Sequence, residues 1–283
     1  MNPKAASMMQ RLRLPATLLA LAIFVGGGIW SVRALGLSPS DYDPVLLLVL
    51  LALAPLGLAY ASVNMMLMGK ALDVPLNFRT GFAVSAWANI AELLPLPGGA
   101  IVRAGALMQQ GGRAGESSTL VLAFALLWIG CAALAASVAL TATGWLALIV
   151  AGAGAASMLL AGGWIALRHS WTVALSAAGL RVLGIGLVAL RLTVAFAATG
   201  TLIAADEALL FALANILGSA AAIAPGGLGI SEGLAAAFAT QSAVLPAAAF
   251  LAVGLNRIAG LAAAGLAALV LSRPSTEPSP ANA

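Results

Sequence analysis

Two stretches decide how this chain is read: ANIAELLPLPGGAIVRAG at residues 88–105 and ANILGSAAAIAPGGLGISEG at residues 214–233. Each opens on Ala-Asn-Ile, with Asn89 and Asn215 in corresponding places, runs into Pro-Gly-Gly, and resumes as apolar helix bearing a charge. Asn89 lies 126 positions before Asn215 and Pro97 lies 128 before Pro225, so the copies differ by a two-residue insertion and form an internal repeat. Pro95, Pro97, Gly98 and Gly99 interrupt the first copy; Pro225, Gly226, Gly227 and Gly229 interrupt the second, which closes on Gly233. Within a bilayer, irregular backbone is tolerated only against protein or a water-filled cavity, and paired interruptions at corresponding places point to a transport site.

The composition requires a bilayer. The 283 residues are 62% hydrophobic and only 8% charged, against about a quarter charged in an ordinary soluble domain. The net charge is +4, but the bases stand at the ends of apolar runs instead of forming a patch, so nucleic acid is not an expected partner. Cys131 is the single cysteine; it excludes a disulfide framework and reads as a thiol buried on the lipid side. The first apolar run, 15–35, follows Lys4, Arg11 and Arg13 as a signal peptide would. Its length of about twenty residues without a small-x-small cleavage site reads as a retained span.

Runs long enough to cross a bilayer, about twenty residues, fall at 16–35, 45–68, 119–140, 145–167, 182–204 and 245–271. The expected fold is an all-α polytopic membrane protein: six full spans plus two re-entrant helical hairpins, over 81–108 and 208–240, in an inverted repeat. One transmembrane domain covers 1–271, with repeat halves at about 45–141 and 182–271. The proline- and serine-rich stretch 272–283 reads as a disordered cytoplasmic tail. So drawn, Lys4, Arg11, Arg13, Lys70, Arg79, Arg113, Arg168, Arg181 and Arg273 share one face, while Asp41, Asp43, Asp206 and Glu207 share the other with only Arg33. The positive-inside rule then places both termini in the cytoplasm, at the inner cell membrane. Residues 171–180 read as an interfacial helix that turns a corner over 179–186. The competing drawing makes each interrupted stretch two full crossings, whose halves of about fifteen residues are short for about 30 Å of hydrocarbon.

Five ionisable residues remain inside apolar runs: Glu92, Arg103, Arg191, Glu232 and Arg257. Each costs about 2.5–3.5 kcal/mol at the bilayer centre and so calls for a cavity or a partner. If the chain turns near Pro246, Glu232 and Arg257 lie about 21 Å and 16 Å from the turn, depths that allow a pair. Arg103 reads as lying in the first turn of a fresh half-helix, where a second positive charge favours a nearby anion. Three arginines against two glutamates leave one surplus positive charge, which suits an anionic head group. Blander roles stand beside these. Arg191 can snorkel to the interface, Glu92 and Arg103 can simply bridge two hairpin arms, and Asn89 and Asn215 can bond backbone freed by the breaks.

The segment APGGLGISEG resembles the Pro-Gly-Gly-x-Gly-x-x-Glu-Gly signature of the lysylphosphatidylglycerol synthase transmembrane family of flippase-like proteins. Pro225, Gly226, Gly227, Gly229, Glu232 and Gly233 match it residue by residue. The first break is similar to the family's Leu-Pro-Gly-Arg-x-Gly-Glu-x-x-Arg segment at Pro95, Gly99 and Arg103, and departs from it at Leu96, Pro97 and Ala100. With no glutamate at Ala100, Glu92 is the candidate to substitute from the other arm. LNRIAG, with Arg257, resembles the family's arginine-bearing last span.

The resemblance implies movement of a lipid or lipid-linked head group between leaflets. Aminoacyl transfer, which bifunctional members perform with a separate soluble domain, is not expected of this chain. The resulting expectation is a non-enzymatic translocase. Its partners are membrane lipids, an anionic phospholipid or a lipid-linked sugar, and a homo-oligomer is compatible with it. Arg103 and Arg257 would hold the head group, and Glu232 would exchange a proton or an ion pair. No Gly-Lys-Ser/Thr phosphate loop, histidine cluster or metal-ligand pattern occurs, so no cofactor or metal is expected. The alternatives are an intramembrane enzyme acting on a lipid phosphate, with Glu232 as acid or base, and a structural subunit of a cell-envelope complex.

Overall fold

A computed structural model describes residues 3–93, 97–221 and 225–271, with side chains from Pro15 onward except those of Ala16 and Pro225. The expectations for Pro95, Leu96 and the 272–283 tail lie outside the described residues. Among the described residues the structure is all-helical, 83% helix with no strand. Six helices among the described residues are long and apolar enough to cross a membrane: α1 (Pro3–Leu35), α2 (Pro44–Ala71), α5 (Ala114–Ala136), α6 (Trp145–Arg168), α7 (Trp171–Ala197) and α10 (Pro246–Leu271). Shorter helices flank the two breaks, α3 (Phe78–Ala91) and α4 (Gly98–Gln109) at the first, α8 (Ala205–Ala220) and α9 (Ile230–Ala239) at the second.

Local chemistry sets several of these boundaries. Pro44 opens α2, where a missing N–H is harmless, and the Asp43 carboxylate accepts from the Val45 and Leu46 amides at 2.8 and 3.2 Å. Asn77 caps α3 through the Thr80 amide at 2.8 Å, and Ser170 caps α7 through Val173 at 3.2 Å. That last cap begins one uninterrupted helix, so the expected interfacial segment and the corner at 179–186 do not exist. The glycines there serve packing instead: a Cβ on Gly184 would run into the Tyr60 and Trp128 rings.

Charge and apolar surface are distributed inside out relative to a soluble domain. Leu148, Leu159, Leu160 and Leu167 of α6 and Val182 and Leu183 of α7 are exposed, while Arg181, Arg191, Glu232 and Asn256 are buried. An apolar exterior around a polar interior is what lipid as the surrounding solvent selects. Cys131, expected on the lipid side, is buried in the core cluster with Phe124 and Leu127. The small residues of 151–157 do bring two helices together, since Gly154 of α6 packs against the backbone of Gly130 of α5.

The contacts pair off. α3 packs on α10 and α8 on α5; α2 packs on α10 and α7 on α5; α2 and α7 pack on each other. The short helices follow the same rule: α3 lies against α4 and α8 against α9, while α4 lies against α5 and α9 against α10. The two interrupted segments thereby meet near the centre, where the Gly226 amide donates to the carbonyl of Glu92.

A cationic cavity between the two breaks

A cavity of about 600 Å³ lies where α2, α5 and α7 meet the two breaks. Asn89, Glu92, Pro97, Gly99 and Arg103 line it from the first break, and Asn215 and Gly226 from the second. Arg181 and Arg191 project from α7, with Gly184 and Val188 between them on the same wall. The spacing 181, 184, 188, 191 is one face of a helix.

Arg103 was expected in the first turn of its helix. Because α4 begins at Gly98, Arg103 is its sixth residue, beyond the reach of the positive helix end, so the helix-end argument for an anion at Arg103 fails. Its partner is Glu92, which ends α3, at 3.2 Å across the arms of the first break. Gly99 sits directly against this pair, and any side chain there would displace it.

The second pair is built differently. Arg257 Nε lies 2.9 Å from Glu232 Oε1, with the arginine side chain 8% exposed and the glutamate 0%. The N–H direction is not aligned for a hydrogen bond, so this contact is an ion pair of charges in close apposition. The other Glu232 oxygen accepts from the Gly229 amide at 2.7 Å, a cap on α9. Arg257 also donates to the Ser231 hydroxyl, which in turn contacts the Asn215 carbonyl at 3.3 Å. Neither Glu232 nor Arg257 lines the cavity. The sequence suggested a pair across the cavity; the chain places the pair behind the wall, fastening α9 to α10.

Arg191 does not snorkel. It is 9% exposed, donates to the Asn256 carbonyl at 2.9 Å, and rests against Gly57 of α2 and Gly260 of α10, where larger residues would crowd it. Arg181 is the residue sequence reasoning assigned wrongly. Counted as a cytoplasmic-face charge, it is 4% exposed inside α7. Its guanidinium donates to the Tyr60 hydroxyl at 2.8 Å and stacks 5.4 Å and 5.1 Å from the Phe124 and Trp128 ring centres. The shared face with Arg191 was the signal that would have found it. The glycines around it, Gly179, Gly184 and Gly186, disguised that face as a corner.

Three arginines therefore face one glutamate on the cavity wall. Glu92 neutralises Arg103, and among the described residues Arg181 and Arg191 meet no carboxylate. No group of three or more metal-ligating residues assembles among the described residues. Six apolar crossings around a buried polar centre are consistent with a multi-pass membrane protein. Comparison with known proteins finds no family model that matches the chain and no curated protein that does.

Proposed function

We propose that this protein translocates an anionic lipid, or a lipid-linked head group, between leaflets without changing it chemically. The observation that carries this reading is the cavity: about 600 Å³ of space, three arginines against one glutamate, enclosed between two interrupted helical segments. A buried cationic site is costly when empty and is stabilised by an anion. Glu232, the acid or base of the enzymatic alternative, is fully buried off the cavity wall and already engaged by Arg257 and the Gly229 amide. That engagement favours binding over chemistry. The motif resemblance in both breaks points the same way.

The accompanying architecture is two re-entrant hairpins in an inverted repeat. Exchanging α2–α5 with α7–α10 carries most of the helix contacts onto others that the protein makes, α3 on α10 becoming α8 on α5, while the packing of α7 on α10 has no comparable counterpart between α2 and α5. Three crossings, α5, α6 and α7, separate the two hairpins and make them enter from opposite faces. The four hairpin helices have 14, 12, 16 and 10 residues, about 15–24 Å each at 1.5 Å per residue. Two full crossings from opposite faces would leave the turns about 30 Å apart, whereas Gly226 and Glu92 are hydrogen bonded.

Reconstituted vesicles with a chain-labelled fluorescent anionic lipid test the function. Bleaching of both leaflets by a membrane-impermeant reductant, with lipid mass unchanged, is expected. Inner-leaflet lipid that stays protected, or lipid of altered mass, overturns the proposal.

A further inference from the structure

Arg103 differs from the other two arginines of the cavity wall in having donors to spare at its surface. Arg181 and Arg191 are at least nine-tenths buried, each is tied to a neutral oxygen, and the Nε of each is shut away from the cavity. The Arg103 side chain is 23% exposed, and none of its nitrogens is buried without a partner. Among the described residues its one hydrogen bond runs from Nη2 to Glu92 Oε1 at 3.2 Å. That is long for a charge-assisted contact, which closes to about 2.7–2.9 Å. A guanidinium presents a planar fork of N–H groups that grips a phosphate through two parallel bonds. Glu92 occupies one prong and leaves the rest of the fork to a ligand.

Glu92 is also placed to let go. It ends α3, and its own carbonyl accepts from the Gly226 amide, so its backbone is tied to the second break while its side chain stays 31% exposed. Freeing Arg103 takes a swing of that side chain alone, and a pair so exposed contributes little stability. Glu232 is the opposite case, held behind the wall by Arg257 and the Gly229 amide. Arg103 further stands close enough to Arg181 for their charges to oppose each other. A negative charge at Arg103 relieves both, and Glu92 is the one carboxylate on the wall that supplies it.

We infer that Arg103 is the seat of the ligand's phosphate and that Glu92 is its tethered rival, giving up Arg103 when a phosphate-bearing head group binds. Both anions need the same fork, and two negative charges side by side are unfavourable, so they exclude each other there. Three arginines against the Glu92 carboxylate and one phosphodiester still leave a positive charge over, so Glu92 can leave Arg103 and stay ionised. Ile101 and Leu122, exposed on the same wall, suit the chains of a lipid. This deepens the translocation reading, on which it rests for the class of ligand and the transport step.

The test is equilibrium binding of chain-labelled phosphatidylglycerol to the purified full-length chain in uncharged detergent, with its deacylated head group as competitor. Arg103→Gln should bind about tenfold more weakly than the wild type, through lost charge-assisted contacts. Glu92→Gln should bind about fivefold more tightly, the most that a partly exposed ion pair is worth. Glu92→Asp separates exchange from plain charge removal, because it keeps the negative charge on a side chain one methylene too short for Arg103. It should also bind more tightly, about threefold. In the Arg103→Gln background Glu92→Gln should bring no gain, since no shared fork is left to release. Glu92→Gln binding no tighter than the wild type overturns the exchange, and so does equal tightening with and without Arg103. Glu92→Asp at the wild-type level also overturns it, and the two Glu92 variants carry the test if Arg103→Gln does not fold. Absence of saturable binding overturns the seat, and a deacylated head group that competes as well as the intact lipid overturns the lipid carrier. Vesicle scrambling keeps the two proposals apart: scrambling without these shifts removes the exchange at Arg103 and leaves translocation standing, and the shifts without scrambling do the reverse.

Discussion

The two ion pairs have the same chemistry and opposite consequences, because their surroundings differ. Arg103 and Glu92 are 23% and 31% exposed, so the pair resembles a surface bridge worth about 0–1 kcal/mol. Glu92→Gln should leave the melting temperature of the detergent-solubilised protein nearly unchanged, and a marked fall contradicts the partly exposed placement. Arg257 and Glu232 are buried, and removing one partner from a buried pair costs about 3–5 kcal/mol. Glu232→Gln should therefore melt far below the wild type, while Glu232→Gln with Arg257→Gln recovers most of the loss. Equal melting of the single and double variants sinks this account. Helical rise alone made the meeting of Glu232 and Arg257 legible in the sequence. That they lie behind the cavity wall was not, because it depends on which faces of α9 and α10 pack together. Arg181 was legible through the helix face it shares with Arg191 but was masked, because glycines that serve close helix packing resemble glycines that turn a corner.

At the scale of elements, each break is closed by glycine meeting backbone. A Cβ on Gly98 would strike the carbonyl of Ala91, one on Gly227 that of Gly218, and one on Gly218 the Ser231 hydroxyl. The arms of each interrupted segment thus approach as closely as backbone allows, and Gly226, Gly227 and Gly229 also have positive φ, which other residues adopt at a cost. Gly233, although part of the same Pro-Gly-Gly motif, lies inside α9 with open space around it. Gly218→Ala should destabilise the protein by about 1–3 kcal/mol through overpacking. Gly233→Ala should stabilise it by about 0.5–1 kcal/mol through helix propensity. Melting curves that rank the two variants the other way contradict the packing described for α8 and α9. The breaks were plain in the sequence because proline and glycine state them directly; which glycines the packing demands was not, since motif and contact need not coincide.

For the molecule as a whole, the decisive quantity is depth. The cavity takes most of its α2 and α5 walls from Leu58, Tyr60, Asn64 and Met68 in the second half of α2 and from Ser118, Val121, Leu122 and Phe124 in the first half of α5, and extends past the midpoints to Ala54, Gly57 and Trp128. Those halves adjoin the connections at 72–77 and 110–113, whose neighbours Lys70, Arg79 and Arg113 carry positive charge. By the positive-inside rule that end is expected to face the cytoplasm, and the translocation proposal then expects access to the cavity from that face. Single cysteines in a Cys131→Ala background, labelled with an impermeant thiol reagent on oriented vesicles, read this directly. Leu37, Leu202 and Ser242 should label from outside and Leu72, Gly111 and His169 from inside. Ser118→Cys, on the cavity wall, should label from the cytoplasmic face alone and be protected by bound anionic lipid. Pro97→Cys carries the heaviest weight, because it lies at the first break beside the meeting point with the second. In a re-entrant hairpin it sits near mid-depth and labels slowly, from the cavity side. In a pair of full crossings it emerges about 30 Å from Gly111 and labels as fast as Leu37 from outside. That second outcome removes the shared midplane site on which both the translocation reading and the inverted repeat depend.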